Sequence, residues 1–340
     1  MVDVPGNQEP VPAAAETGQD ARLSRLERLR HAGAWAFQGP VGEFGAASIA
    51  GFDPVGQVFG TTVAYLDPVA FDPCYVPGSA TRTGQTSADP YNPRLLRLNT
   101  ARRTALERVL AECQALGGDG IVGARLSSAD FYSHTTEFTV EGTAVRARSS
   151  TRPGAPFTTH VSGQDLAKLL RAGWMPFALV FGTAIASRHF DESMFQETRR
   201  GIGAAGNREV SGYTRLVNDA RRGARRALET AVRDQGGQGA VVQEMTLHFT
   251  ERECPSTTEH SDYVVEATIL GSAIVSFERS EPAAAREAPL AIMRLDRRSA
   301  AMTEPEPGPG VTAGPGLGDR AFAYWTARRD AQAAGSSDEP

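Results

Sequence analysis

The side chains best suited to bind a metal ion lie close together in the last third of the chain. Zn²⁺ and the neighbouring first-row metals are bound by imidazole, thiolate and carboxylate groups. A predicted hairpin loop contains such groups within one stretch of fifteen positions, at His248, Glu251, Glu253, Cys254, Glu259, His260 and Asp262. A divalent metal such as zinc is the predicted cofactor, and its predicted ligands are His248, Glu251, Cys254, Glu259 and His260. Because the cysteine stands alone and the spacing fits no zinc finger, a solvated polar loop explains the same residues.

Two other groups of side chains could join a site in space. The corresponding loop of an earlier segment carries a thinner set, Asp130, His134 and Glu137. A separate polar stretch carries His189, Asp191 and Glu192.

A glycine is followed by a hydroxyl residue at four predicted strand positions. The pairs are Gly60-Thr61, Gly142-Thr143, Gly182-Thr183 and Gly271-Ser272. One interpretation is a narrow ligand pocket into which the hydroxyls point, with Thr61, Thr143, Thr183 and Ser272 as its residues. The other is that the glycines allow a helix of small residues to pack tightly on a sheet.

Two arginine pairs and one cysteine lie on predicted helices. Arg102-Arg103 and Arg221-Arg222 oppose the helix dipole, so they either pair with carboxylates at a subunit interface or remain solvated. Cys113 falls on an apolar helix face and is predicted to be buried. Neither a nucleophile elbow, a P-loop nor a zincin motif occurs, and no general base is placed, so we expect no enzymatic activity.

These candidate residues belong to a unit that occurs twice in the chain. The segment from Ala101 (ARRTALERVLAECQALGGDGIV) aligns without a gap on the segment from Ala220 (ARRGARRALETAVRDQGGQGAV). Residues 58–61 recur at 180–183, residues 141–145 are answered by 270–274, and a lead-in from Leu26 matches one from Leu166. Four blocks in the same order indicate a tandem duplication.

Each copy of the unit predicts the same elements. Apolar residues at helical spacing predict one long helix per copy, and a glycine turn ends each helix. Two strands follow, and alternation in 137–141 suits a half-buried strand. The predicted fold class is therefore α+β, with two repeated domains that each pack one main helix on a mostly antiparallel sheet.

The first copy resembles the YbjQ-like family, which is named for heavy-metal binding. That family has the motifs A-R-x-x-A-L, L-G-A-[DN]-A and G-T-A-V. The first copy matches them with ARRTAL from Ala101, LGGDG from Leu116 and GTAV from Gly142. The second copy departs further, with ARRGAR from Ala220, QGGQG from Gln235 and GSAI from Gly271. The resemblance covers residues 45–148 and 174–279.

The resemblance implies ring-like homo-oligomers, pentamers in particular, and no known reaction. We therefore expect self-association into about five chains, held mainly by the strands that end at Val145 and Ile274. Two copies that bury their surfaces against each other within one chain would instead give a monomer. For function, metal or small-ligand binding competes with a structural or scaffold ring that recruits partners through its tails.

Composition sets the remaining expectations. The net charge of −5 without a long basic block argues against a nucleic-acid partner. The sequence contains no run of about 20 apolar residues, so we expect no insertion into a membrane. Three widely spaced cysteines and a start that lacks a secretory pattern predict a cytoplasmic protein. The predicted boundaries are a disordered tail at 1–20, domains at 21–150 and 164–280 joined by a linker at 151–163, and a Pro/Gly/Ala-rich tail at 281–340. In that tail, one interpretation is a strand at 290–295 and a short helix at 321–333 anchored by Phe322, Tyr324 and Trp325, and the other is a loose tail.

Overall fold

The computed structural model describes residues 18–32, 41–66, 91–132, 134–150, 152–189, 196, 209–253, 261–277 and 323–327. The first half contains α1 (Gly18–Ala32), α2 (Val41–Ile49), β1 (Phe52–Tyr65), α3 (Asn92–Ala115), β2 (Gly120–Tyr132), β3 (Thr135–Ala147) and β4 (Phe157–Thr158). The second half contains α4 (Gly163–Arg171), β5 (Trp174–His189), α5 (Ser211–Asp234), β6 (Gly239–Glu253) and β7 (Ser261–Ser276). No helix in these ranges is long and apolar enough to cross a membrane.

The two halves share one order of three strands, to which the first sheet adds β4. The first sheet has the order β1-β3-β2-β4 and the second the order β5-β7-β6, and all pairs except β2–β4 are antiparallel. In each half a 24-residue helix connects the first strand to the hairpin. The predicted α+β fold with one main helix on each sheet is therefore confirmed.

Because β3 and β7 are central, both of their edges are paired within the chain. The strands that end at Val145 and Ile274 can thus offer only their faces to another chain.

Glycine allows each long helix to lie directly on its first strand. A Cβ atom added at Gly60 would overlap the backbone of α3 at Ala105 and Val109. A Cβ atom added at Gly182 would overlap the backbone of α5 at Ala224 in the same way. The packing interpretation of these two glycines is therefore confirmed.

The turn after each helix is also equivalent in the two halves. Gly117 and Gly236 adopt φ angles of 72° and 73°, the left-handed region that favours glycine at a helix C-terminus. In the next turn, Asp119 Oδ2 accepts a hydrogen bond from the amide of Ala147 at 3.0 Å. Gln238 Oε1 accepts one from the amide of Ser276 at 2.8 Å, so a side chain of the turn binds the end of the central strand in both halves.

The elements stack as first sheet, α3, second sheet, α5. One side of α3 packs on the first sheet, and four residues of the second sheet join the same apolar cluster: Leu179, Ile185, Val264 and Leu270. The opposite face of the second sheet packs on α5 through residues such as Val180 and Ile269. At β5 and β7 the second sheet is therefore covered on both faces by parts of its own chain, whereas residues 242–251 of β6 are exposed.

The stretch predicted as a linker ties the two sheets together. Its strand β4 runs parallel to β2, at the edge of the first sheet. Thr158 Oγ1 accepts a hydrogen bond from the amide of Leu179 in the second sheet at 2.8 Å.

Part of the C-terminal tail also packs on the fold. Residues 323–327 are helical, and Trp325, only 3% exposed, lies 6.1 Å from the ring of Phe157 and 6.3 Å from that of Phe177. Tyr324 is 40% exposed, so Trp325 is the buried aromatic residue among residues 323–327. Phe322 and the predicted strand at 290–295 lie outside the described residues.

Candidate functional site

A cleft of about 430 Å³ lies between the two halves of the chain. Its walls are the first half of α3, the β2–β3 hairpin and the face of the second sheet that is turned toward α3. Apolar side chains from both halves form part of the lining, at Leu66, Leu98, Phe138, Ile185 and Val264. Charged and titratable side chains form another part: Arg94, Arg102, Asp130, His134, His248 and Glu266. The cleft thus has the size and mixed lining of a small-ligand site.

Arg102 connects the two halves beside this cleft. Its guanidinium donates hydrogen bonds to Thr183 Oγ1 at 2.6 Å (from Nη1) and Thr268 Oγ1 at 3.2 Å (from Nη2). Nη2 also lies 3.6 Å from Oε1 of Glu266, which makes an ion pair. Burial lowers the pKa of Arg102, and the Glu266 carboxylate opposes this shift. An arginine remains charged under such conditions, so the contact is a buried, charge-assisted bridge between the halves.

The charged groups at the cleft come from elements of both halves. Arg94 Nη2 lies 3.8 Å from Glu266 Oε2, so this carboxylate faces two arginines of α3. His134, at the turn of the β2–β3 hairpin, has a φ of 58°, unusual for a residue other than glycine. Its ring meets that of Tyr65 edge to face at 6.2 Å.

The predicted metal ligands are only partly within the described residues. Cys254, Glu259 and His260 lie outside them. His248 and Glu251 lie on β6 at an odd spacing, and side chains of a strand alternate between its faces. His248 accordingly lines the cleft, whereas Glu251 Oε1 accepts a hydrogen bond from the Tyr263 hydroxyl at 3.5 Å. Within the ranges that the structure covers, no three His, Cys, Asp or Glu side chains are placed to hold one metal ion.

Other residues singled out from the sequence have defined surroundings. His189 Nδ1 lies 2.7 Å from Asp262 Oδ1, as a cross-strand pair of β5 and β7. Cys113 is fully buried, as predicted, and burial raises the pKa of its thiol well above the ordinary range. Such a thiol is a core residue rather than a nucleophile.

The four hydroxyl residues proposed as a pocket make separate contacts. Thr61 Oγ1 donates to Glu137 Oε1 at 2.8 Å on the first sheet, whereas Thr183 Oγ1 accepts from Arg102 between the halves. Ser272 Oγ accepts from the amide of His160 at 3.0 Å and lies 2.7 Å from its Nδ1. Thr143 is buried within β3. None of the four lines the cleft.

Sequence reasoning missed Arg94 and Glu266, and it left the role of Arg102 open. A local signal exists for Glu266, since it is a single charge within the apolar run Val264–Ile269 of β7. A lone charge in such a strand needs a partner, but its partners lie on a helix more than 150 positions earlier.

Comparison with known proteins identifies the fold unit. Residues 90–148 match the sequence profile of the YbjQ family, which is described as "Putative heavy-metal-binding". This region holds α3, β2 and β3, and therefore all three motifs of the first copy. UPF0145 proteins of Helicobacter hepaticus and Thermotoga maritima are 42% and 43% identical over 52 and 49 residues, which are 15% and 14% of this chain and 50% and 46% of theirs.

A longer match spans both halves. The encapsulin nanocompartment protein Rv1762c of Mycobacterium tuberculosis is 32% identical over 226 residues, covering 63% of this chain and 79% of that protein. Neither the family description nor the names of these relatives includes an enzymatic activity. With the motifs, the fold and a relative matched over both halves, the chain belongs to the YbjQ-like family (UPF0145).

Proposed function

We propose that this protein is a non-catalytic binding protein that takes up a divalent metal ion or a small polar ligand at the cleft between its two halves. The observation that carries this proposal is the cleft itself, a space of about 430 Å³ with basic and acidic side chains from both halves. A small ligand there would contact apolar side chains and be oriented by Arg94, His134 and Asp130. The three widely spaced cysteines support a location for this function in the reducing cytoplasm.

His248 links the cleft to the metal hypothesis. It belongs to the predicted ligand set and also lines the cleft, on the same face of β6 as Thr250. An imidazole is a good zinc ligand, but one ligand does not make a site. A metal ion at His248 would therefore take its further ligands from the 254–260 segment, which contains Cys254, Glu259 and His260. Glu251 is left out of this set, because it lies on the opposite face of the strand.

Zinc titration tests the metal form of the proposal. We expect His248→Ala and Cys254→Ala each to weaken Zn²⁺ binding at least tenfold, a change of about 1.4 kcal/mol in binding free energy. The measurement is isothermal titration calorimetry on the full chain, together with metal analysis of the purified protein. The matched control is His31→Ala, an exposed histidine on α1, which should leave the affinity unchanged. Absence of zinc from the protein and of heat in the titration would refute the metal form and leave small-molecule ligands.

A second candidate function is assembly, in which the protein serves as a structural or scaffold component. Its support is the match over both halves to a relative named an encapsulin nanocompartment protein. Together with the ring expected from the family resemblance, this points to a homo-oligomer of about five chains. Partners would then be recruited through the tails.

The mass in solution tests assembly directly. We expect light scattering after size exclusion to give a multiple of the chain mass of 36.2 kDa at micromolar concentration. A mass near that of one chain, unchanged across concentrations, would contradict assembly and leave the binding proposal standing.

A further inference from the structure

The two copies meet at one interface within the chain. Each of the two surfaces that form this interface has an equivalent surface elsewhere in the chain. Arg102 on α3 contacts Thr183, Thr268 and Glu266 of the second sheet. By the repeat and the strand registers, the position of Arg102 corresponds to Arg221 on α5. The three sheet residues correspond to Thr61, Thr139 and Glu137.

The two equivalent surfaces cannot contact each other within one chain. In the stacking order, α3 lies between the sheets, whereas the first sheet and α5 lie at the two ends. The outer face of the first sheet, defined by Thr61, Val63, Glu137 and Thr139, therefore points away from the chain. The outer face of α5, which carries Arg221, points away at the other end.

Exposure of the equivalent residues shows that, at these positions, no described residue covers either end. Ile185 of the second sheet is 1% exposed beneath the first half, whereas Val63, at the equivalent position of the first sheet, is 49% exposed. Arg102 is buried, whereas Arg221 is exposed and forms no hydrogen bond or ion pair with any described residue. The half-exposed valine and the unpaired arginine are therefore the features expected of the two surfaces of this interface when they are not in contact with each other.

The sheet side is already arranged to receive a cation. Thr61 Oγ1 donates to Glu137 Oε1 at 2.8 Å, and Thr139 Oγ1 donates to Thr61 Oγ1 at 3.0 Å. The same residue types surround the Arg102 guanidinium at the internal interface, where two threonines and a glutamate bind it. An arginine placed over this face would complete an equivalent network.

Near these polar residues, two apolar residues of the internal interface correspond to charged residues on the outer surfaces. Leu106 and Leu270 belong to the apolar cluster between the halves. Their equivalents at the two ends of the chain are Arg225, exposed on α5, and Glu141, partly exposed on β3. Each of these leucines thus corresponds to a charged residue, an arginine on one outer surface and a glutamate on the other. The two surfaces are complementary in charge, and their charged side chains are solvated when the surfaces are not in contact.

We propose that chains associate head to tail, with α5 of one copy seated on the outer face of the first sheet of the next, and with Arg221 paired to Glu137 of that copy. This inference rests on the proposed self-association and names its contact surface. Because the two surfaces differ, the contact is heterologous and repeats from chain to chain until the rotation closes a ring. Each new contact would also bring α5 and the β2–β3 hairpin of different copies together, which repeats the setting of the internal cleft.

The test is a charge exchange in the full chain, read by light scattering. We expect Arg221→Glu, and separately Glu137→Arg, to reduce the mass from an oligomer to a single chain of 36.2 kDa at the same micromolar concentration. The variant that carries both substitutions should return to the wild-type mass, because the pair then has reversed but opposite charges. Arg233→Glu is the matched control, since Arg233 is exposed on the same helix twelve positions later and should not change the mass.

Each outcome separates the interface from self-association itself. A wild-type protein of single-chain mass overturns both. An oligomer that Arg221→Glu leaves intact overturns this interface and keeps self-association. Loss of assembly in both single variants without recovery in the double variant also overturns the pairing of Arg221 with Glu137. Circular dichroism of each variant identifies loss of mass that follows from unfolding, and recovery in the double variant is an outcome that misfolding cannot produce.

Discussion

Replacing Gly182 by alanine is expected to lower the free energy of unfolding by about 3 kcal/mol or more, because the new methyl group would overlap backbone rather than a movable side chain. A Cβ atom at this position would lie 2.8 Å from the Cα of Leu228 and closer still to the carbonyl oxygen of Ala224. Relief requires α5 to move away from β5, which would loosen the apolar cluster between them. Urea unfolding followed by circular dichroism measures the change.

The same reasoning applies to the first copy and supplies a control. At Gly60 the added atom would overlap the backbone of α3 and lie 2.9 Å from the Cβ of Arg108, so a similar loss is expected. Gly45 on α2 has no atom within 4 Å of the corresponding position. Gly45→Ala should therefore leave stability unchanged or raise it by up to about 1 kcal/mol, since alanine favours a helix. Equal effects at Gly182 and Gly45 would show that the helix does not lie as close to the strand as described.

Arg102→Ala is expected to destabilise the protein by about 3 kcal/mol, since it breaks a buried ion pair by removing one partner. The substitution removes two hydrogen bonds to threonines and leaves Glu266 with the more distant Arg94. Arg103→Ala is the control, because Arg103 is the next residue on α3 but is exposed. We expect a loss below about 0.5 kcal/mol there. Thermal and urea unfolding of the two variants give the comparison.

A double-mutant cycle separates the ion pair from packing. Combining Arg102→Ala with Glu266→Gln should give a coupling energy of about 1–3 kcal/mol, because each single change already removes the same interaction. Additive losses would mean that Arg102 stabilises the structure through its threonine contacts and its stacking near Phe138 and Phe181 instead. Either result defines how the two halves are held together beside the cleft.

Features that depend on neighbouring residues could be predicted from the sequence. Apolar positions at helical spacing located both long helices, and the Gly-Gly-x-Gly turns marked where they end, because helix periodicity and a left-handed glycine are local properties. The repeat also gave the fold class, since two copies of one pattern of elements fold alike. Even the burial of Cys113 followed from its place on an apolar helix face.

The candidate site could not be predicted in this way. The predicted ligand set grouped His248 with Glu251 because they are close in sequence, but strand alternation places them on opposite faces of β6. The cleft combines residues from α3, the β2–β3 hairpin and the second sheet, and nothing in the periodicity of any one segment shows which others it will meet.

The sequence by itself determined two similar units, each with a helix that covers one face of a sheet. Only the tertiary structure decided that α3 would also cover the second sheet, so that Arg102 meets Glu266, while Arg221 and Glu137 remain at opposite ends of the chain. The physical reason is that the two copies are nearly equivalent in pattern but not in position. Stacking them in one chain can bury only one of two equivalent interfaces, and the order of the layers determines which one.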